Sequence, residues 1–509
     1  MNAIAYTAAL QNHGRRPILW AAFGLYTAIL IYAMTRHELW GDELQAWNLA
    51  KASASPGSLL HNTRFEGHPP AWFILLWFVS TFTHNPAWIQ ALQVVICCGA
   101  VFLVLFYSPL PLVTRLLLPF GYFFLFEYAV LSRNYMIAVL PAFGICLLMG
   151  SHYRYKIPLY YVLLLLVTAA HLLALPLAAG LQGYFLFRLA EQRPKKTTIA
   201  LHAGLGILAA LPAMYFIFPP SDSQINLSFW ISRWSAHQLT AFIQAPLQAF
   251  MPVPAWWKDQ FWNTQVFVEA KNNYHAFRLL NWPISLATIA LALYVLRANR
   301  KCLVLFATAF LLSLLIAITI FPLSGARYTG FLFIAFMAAY WLYCYEASPS
   351  RGSRWLVNGM LAIQLAAGVF IVVKDTRLPF SNLYKVNELL NEVPAGERTV
   401  CDYWALNAVS AFAGRPLYCV DLQKQASFIL WGSDMAAMQK RPYRYRDGVR
   451  YLFQQENIKS VYLVSTGSLP NINRLDSLFL SSFHVELVDK REGAIEKGSN
   501  LYLYHIKEE

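Results

Sequence analysis

Apolar runs long enough to span a bilayer recur along the first three-quarters of this chain, and nothing constrains its fold more. They lie near residues 17–35, 86–107, 112–130, 133–150, 157–172, 173–190, 198–218, 280–297, 302–321, 328–346 and 354–373. A hydrocarbon core of about 30 Å takes roughly 20 helical residues, and lipid leaves no water to satisfy an open backbone. The pattern therefore specifies a polytopic α-helical membrane protein with about 11 transmembrane helices. Composition agrees, with 58% of residues hydrophobic, 13% charged, and 16 Trp and 28 Tyr available for aromatic belts. Arg15-Arg16 precede the first run and no small-residue cleavage site follows it, so that run reads as an uncleaved span.

The net charge of +14 does not point to nucleic acid, because the basic residues fall mainly in short loops between apolar runs. Arg115, Arg154/Lys156, Arg193/Lys195/Lys196, Arg297/Arg300/Lys301 and Arg351/Arg354 all fall on one side, with Arg15-Arg16. The positive-inside rule makes that side the cytoplasm, places the N-terminus there, and adds membrane lipids as partners. The loops 36–85 and 219–279, the turns 127–133 and 324–328, and the C-terminal region are then exported. His68 to Thr83 breaks the parity, since a crossing there would carry Arg115 outside. It reads instead as an interfacial or re-entrant helix started by Pro69-Pro70, with a crossing at 69–83 as the alternative.

From residue 375 charges become frequent, which divides the chain into a membrane core, 1–374, and a soluble exported α/β domain, 375–509. Strands are expected at 398–401, 417–420, 461–464, 484–488 and 501–504, and helices near 382–392, 404–413 and 447–457, the last capped by Asp447. That alternation implies a largely parallel sheet. Five cysteines (Cys97, Cys98, Cys146, Cys302, Cys344) sit in apolar runs as small hydrophobes. Cys401 and Cys419 fall in neighbouring strands, where an oxidising compartment would close a disulfide; two buried free thiols are the alternative.

Carboxylates are scarce in the membrane core: only 10 of 26 precede residue 374. Two are adjacent, in Trp40-Gly41-Asp42-Glu43-Leu44-Gln45-Ala46-Trp47, directly after the first span. The first exported loop adds His61, Arg64, Glu66 and His68, and the second turn Glu127, Arg133 and Tyr135. The late turn adds Arg327 and Tyr328, and the long loop Arg233, His237, Lys258 and Lys271. Acids, arginines and tryptophans converging on one membrane face suit a substrate with a lipid tail, a phosphate and a sugar. Arginine forks grip phosphate, aromatic rings stack on sugars, and a carboxylate deprotonates an attacking hydroxyl. Each residue also has a plainer reading. Asp42 caps a helix starting at residue 43 or 44, Arg133 and Arg327 snorkel to the interface, Glu127 pairs with Arg133, His68 braces a loop, and His171 bonds two helices.

The acidic pair after the first span, the following His68-Pro69-Pro70 with its apolar helix, and the turn Phe126-Glu127-Tyr128 through Ser132-Arg133-Asn134-Tyr135 resemble the GT-C membrane glycosyltransferases. The likeness is to protein O-mannosyltransferases and the bacterial aminoarabinose transferases of lipid A, and it covers mainly residues 17–150. It implies a polyprenyl-phosphate-linked sugar donor and transfer, with inversion, to an acceptor hydroxyl at the exported face of a bacterial inner membrane. On that resemblance Asp42 is the general base and Glu43 positions the acceptor or substitutes for Asp42. His68 orders the first loop, while Arg133 and Arg327 neutralise the departing lipid phosphate. Arg64, Tyr135 and Tyr328 complete the substrate-binding set. Glu127 falls near a position that binds a divalent metal in some relatives; the expectation here is that no cofactor is required, with Mg²⁺ or Mn²⁺ as the alternative. The acceptor stays open among glycan, lipid and protein.

Three other classes fit the same hydropathy. A secondary transporter or flippase would need mid-span polar residues and repeated broken helices, whereas these acids sit at the exported mouth. A polyprenyl-linked polysaccharide ligase or polymerase would use the 219–279 loop and leave the acidic pair without a role. A non-catalytic assembly subunit would dock partners through its C-terminal domain.

Overall fold

A computed structural model describes residues 16–508 except 219, 222, 224–235, 274, 321, 322 and 324. Among the described residues, six helices are long and apolar enough to cross a membrane: Arg16–Met34, Trp88–Tyr107, Lys196–Ile217, Arg300–Thr319, Ala326–Glu346 and Arg351–Asp375. Shorter helices, Met136–Gly150, Lys156–Thr168 and Ala174–Ala190, lie beside them, as does His275–Leu296. Large apolar side chains such as Trp20, Val95, Ile207, Leu208 and Leu311 point outward from the bundle. A surface so apolar belongs in lipid, where no hydrophobic penalty attaches to it.

Ala326–Glu346 is the bundle's axis, buried on nearly every side. Its start is fixed by Gly325, whose φ of +112° few other residues tolerate, and whose N–H donates to Gln248 Oε1 at 2.9 Å. Ala174–Ala190 and Arg300–Thr319 approach closely at Gly180, where a Cβ would lie 2.5 Å from the Leu305 carbonyl oxygen. Small residues let membrane helices meet in this way.

Within the bundle three expectations change. The run 112–130 is not one helix. Pro119, lacking a donor, and the extended Gly121 break it into an α-helix Leu112–Leu117, a 3₁₀ turn Leu118–Phe120 and a π-turn Phe123–Glu127. The 219–279 stretch is not simply a loop, because Ala236–Phe250 is a helix packed on the axis, with Ala245, Leu247, Ala249 and Phe250 buried. Interleaved glutamines and Pro246 hide it from a hydropathy reading. His171 lies in the break between two helices, not within one, and its Nδ1 accepts the Leu173 N–H at 3.0 Å. The segment after Pro69-Pro70 forms a helix of ten residues, Ala71–Ser80, about 15 Å long and so half a bilayer core.

The C-terminal sheet has six strands: β1 Thr399–Cys401, β2 Leu417–Cys419, β3 Lys424–Ala426, β4 Ser460–Ser465, β5 Phe483–Arg491 and β6 Leu501–Glu508. Their order is β3-β2-β1-β4-β6-β5. β1 runs parallel to β2 and β4, while β3, β5 and β6 join antiparallel, so the sheet is mixed and not largely parallel as expected. Period-two alternation divides the side chains. Val400, Val461, Leu463 and Tyr504 pack under the helix Arg444–Glu456, whereas Cys401, Val464, Leu501 and Leu503 join the core that continues into the bundle. That helix begins before Asp447, which therefore sits in its first turn beside Arg446 instead of capping it. The expected Cys401–Cys419 disulfide is not formed, and both are buried free thiols. They are register partners on neighbouring parallel strands and stand side by side as thiols.

Candidate active site

The acidic pair opens the helix Gly41–Ala52, and its two carboxylates are used differently. The N-cap residue is Trp40, which offers no acceptor, so Glu43 reaches back and its Oε2 accepts the Trp40 N–H at 3.0 Å. Its Oε1 accepts the Ser132 N–H at 2.5 Å, joining the segment after the first long helix to the turn 127–133. Glu43 is fully buried, and His37 Nε2 lies 3.6 Å away. Both oxygens are thus occupied by backbone donors, and the capping expected of Asp42 falls to Glu43. One residue earlier on the helix, Asp42 turns outward with its side chain 46% exposed.

Two guanidinium groups flank that carboxylate. Arg133 Nη2 is 3.7 Å and Arg327 Nη1 3.6 Å from Asp42 Oδ2. Arg133 is anchored by donating Nη1 to the Asp42 carbonyl. Arg327 follows Gly325 on the first turn of the axis helix, and its guanidinium sits over Tyr328 at 4.8 Å, Trp262 at 5.3 Å and Trp40 at 5.4 Å. Neither arginine is within hydrogen-bond distance of the Asp42 carboxylate, which leaves donors for an anion.

Asp42 opens into a cavity of about 570 Å³, within the roughly 300–1,000 Å³ typical of small-molecule sites. Trp40, Asp42, Gln45, Glu66, His68 and Arg133 form its membrane-side wall. Glu66 accepts from Gln45 Nε2 at 2.7 Å. Burial pushes its carboxyl up to about 7, against the opposing pull of Gln45 and Arg133. Burial and the Arg133 charge lower His68 to about 4, so its imidazole is neutral at physiological pH. His68, His171 and Tyr135 follow one another at ring spacings of 4.9 Å, and Tyr135 stacks on Tyr128 at the same distance.

The other wall comes from the C-terminal region: Leu383, Trp404, Asn407, Ile429, Trp431, Thr466, Glu496, Gly498 and Ser499 all face the cavity. The two walls are bonded together. Gln45 exchanges two hydrogen bonds with the Ile429 backbone, at 2.5 and 2.9 Å. Asn48 Nδ2 donates to the Asn407 carbonyl at 2.9 Å, and Glu38 Oε2 accepts the Phe380 N–H at 2.8 Å.

The remaining expected site residues lie as follows. Tyr328 supports Arg327, and Tyr135 belongs to the ring stack. Glu127 is buried and does not pair with Arg133; its Oε2 accepts from Tyr122 at 2.7 Å and Trp262 at 3.2 Å. Arg64 does not line the cavity, because its guanidinium stacks on Tyr215 at 4.2 Å. Lys258 pairs with Glu269. Arg233 and the side chains of His237 and Lys271 lie outside the described residues. The sequence reading missed His37 and Asp375, a buried pair 3.1 Å apart, although Asp375 is an isolated acid closing the last apolar run. It also missed Trp404, Trp431 and Glu496, which no local pattern marks. Among the described residues no three His, Cys, Asp or Glu side chains converge as a metal-binding group, and the cations flanking Asp42 would repel a divalent ion. No protein-family model matches the chain, and no curated protein does.

Proposed function

We propose that this chain is a GT-C-type glycosyltransferase. In this reading it moves a sugar from a polyprenyl-phosphate donor to an acceptor hydroxyl at the exported face of a bacterial inner membrane, with inversion. One observation carries the reading: an outward-facing carboxylate, Asp42, stands between Arg133 and Arg327 at the mouth of a cavity. In the reaction Asp42 takes the proton of the acceptor hydroxyl as its oxygen attacks the anomeric carbon. The bond from that carbon to the phosphate oxygen breaks on the opposite side, and the phosphate leaves with the electron pair. Charge grows on the phosphate as it departs, so arginine donors fixed beforehand stabilise the transition state more than the ground state. The reaction needs no metal in this reading, since the two guanidinium groups supply the positive charge.

The eleven-span topology is part of the proposal. It is supported by the gathering of basic residues at the end of the bundle remote from Asp42. There Lys156 and Arg188 both donate to the Met149 carbonyl, at 3.1 and 2.8 Å, and Lys301 pairs with Glu191 and Glu346. That end is the cytoplasmic one in this reading.

The test incubates detergent-purified protein with radiolabelled polyprenyl-phosphate sugars and membrane extract, comparing wild type with Asp42→Asn. Label reaching a product with wild type alone supports the transferase. If wild type consumes no donor, or Asp42→Asn works equally well, the reading fails and a transporter or ligase takes its place.

A further inference from the structure

The cavity's second wall has a chemistry of its own. Trp404 follows β1 and Thr466 follows β4, so both rise from the carboxyl ends of adjacent parallel strands. This is the edge of a parallel sheet at which α/β folds place ligands. Asp402, buried beneath, accepts from Ala405 N at 2.7 Å, Ser465 Oγ at 2.5 Å and Thr466 N at 3.3 Å, and so fixes both loops. Trp404 is 44% exposed even so, and its ring lies 6.1 Å from that of Trp431. Tyr403 backs Trp431 at 6.3 Å, and the Trp431 carbonyl is held by Ser223 Oγ at 3.0 Å. Glu496 Oε2 accepts from the Ser499 hydroxyl at 2.6 Å, which fixes the carboxylate in the cavity wall.

Resting on the transferase reading above, we propose that this wall is the acceptor subsite and that the acceptor is an uncharged glycan. Its terminal sugar stacks on Trp404 and Trp431, and its hydroxyls donate to Glu66 and Glu496. Indole faces are electron-rich and meet the polarised C–H bonds on the flat face of a pyranose, and fixed carboxylates accept hydroxyl hydrogens. The arginines lie by Asp42, where the donor phosphate belongs. A phosphorylated or carboxylated acceptor would instead bring like charge against Glu496 and Asp42, which disfavours it.

The test measures binding without turnover. Full-length protein in detergent is titrated with neutral disaccharides (cellobiose, mannobiose and chitobiose) and with a phosphorylated disaccharide, followed by saturation-transfer difference NMR. At least one neutral disaccharide is expected to bind wild type, and about tenfold more weakly to Trp404→Ala and Trp431→Ala. Trp404→Phe, which keeps a ring, recovers part of the loss and guards against misfolding of the alanine variant. The phosphorylated probe binds least. The proposal is overturned if no neutral disaccharide binds folded wild type, if both alanine variants bind as wild type does, or if the phosphorylated probe binds best. Neutral-sugar binding at the tryptophans with no donor consumed would keep the subsite and remove the transferase. Transfer with an unchanged acceptor KM in Trp404→Ala and Trp431→Ala would do the reverse.

Discussion

His37 Nδ1 lies 3.1 Å from Asp375 Oδ1, and this contact fastens the residues after the first span to the end of the last. Burial alone would lower the His37 pKa, but the Asp375 and Glu43 carboxylates outweigh it and raise the value from 6.5 to about 10. A group whose folded value is raised stabilises fully below its unfolded value and loses that contribution as pH climbs through the folded one. The melting temperature of wild type in detergent should therefore fall as pH rises from 6.5 through about 10. His37→Gln should lack that slope and be less stable at neutral pH by about 3–5 kcal/mol, the cost of leaving a buried charge without its partner.

Asp42 and Glu43 should respond in opposite ways. Asp42→Asn alters an exposed group and is expected to leave the melting temperature unchanged while lowering transfer by about 10²–10⁴-fold. Glu43→Gln replaces an acceptor of two backbone N–H groups and should cost about 1–3 kcal/mol of stability. Thermal melts and initial rates on the same two preparations decide the matter. Loss of activity in Glu43→Gln with an intact melt would return Glu43 to the chemistry.

Arg327 is held by three rings, so charge alone does not replace it. Arg327→Lys keeps the charge but loses the planar stack over Trp40, Trp262 and Tyr328. Transfer should fall by about an order of magnitude, seen mainly in kcat with the donor varied. A wild-type rate in the lysine variant would show that the rings do not orient the cation.

Glu66 holds its proton up to about pH 7 in the folded protein against an ordinary 4.5. The folded state thus binds that proton more tightly than the unfolded chain, and stability declines as pH rises from 4.5 to about 7. Glu66→Gln should flatten this part of the melting profile. An unchanged slope in the variant would place the titration elsewhere.

Chelation supplies a further check. If Arg133 and Arg327 supply the positive charge at a donor phosphate, as proposed, EDTA should leave transfer unaffected. Activity lost to EDTA and restored by Mg²⁺ or Mn²⁺ would require a metal at the acidic mouth.

The helices and the principal strands were legible because burial in lipid or in a sheet leaves a local period, as in Ala326–Glu346 and Ser460–Ser465. Asp42 was legible because a carboxylate beside apolar spans is costly to desolvate and acids are scarce before residue 374. The division of labour between Asp42 and Glu43 was not, since it depends on which carboxylate meets Ser132, 89 positions away. Nor was the second wall of the cavity: Asn48 and Asn407, which help join it to the first, are 359 positions apart. A pattern read within a window of twenty residues carries no record of such a meeting.

The position of Glu496 and Ser499 in that second wall has a consequence for truncation. A chain lacking residues 483–508 would keep Asp42 between Arg133 and Arg327 while leaving the cavity open on the side that Glu496 and Ser499 close.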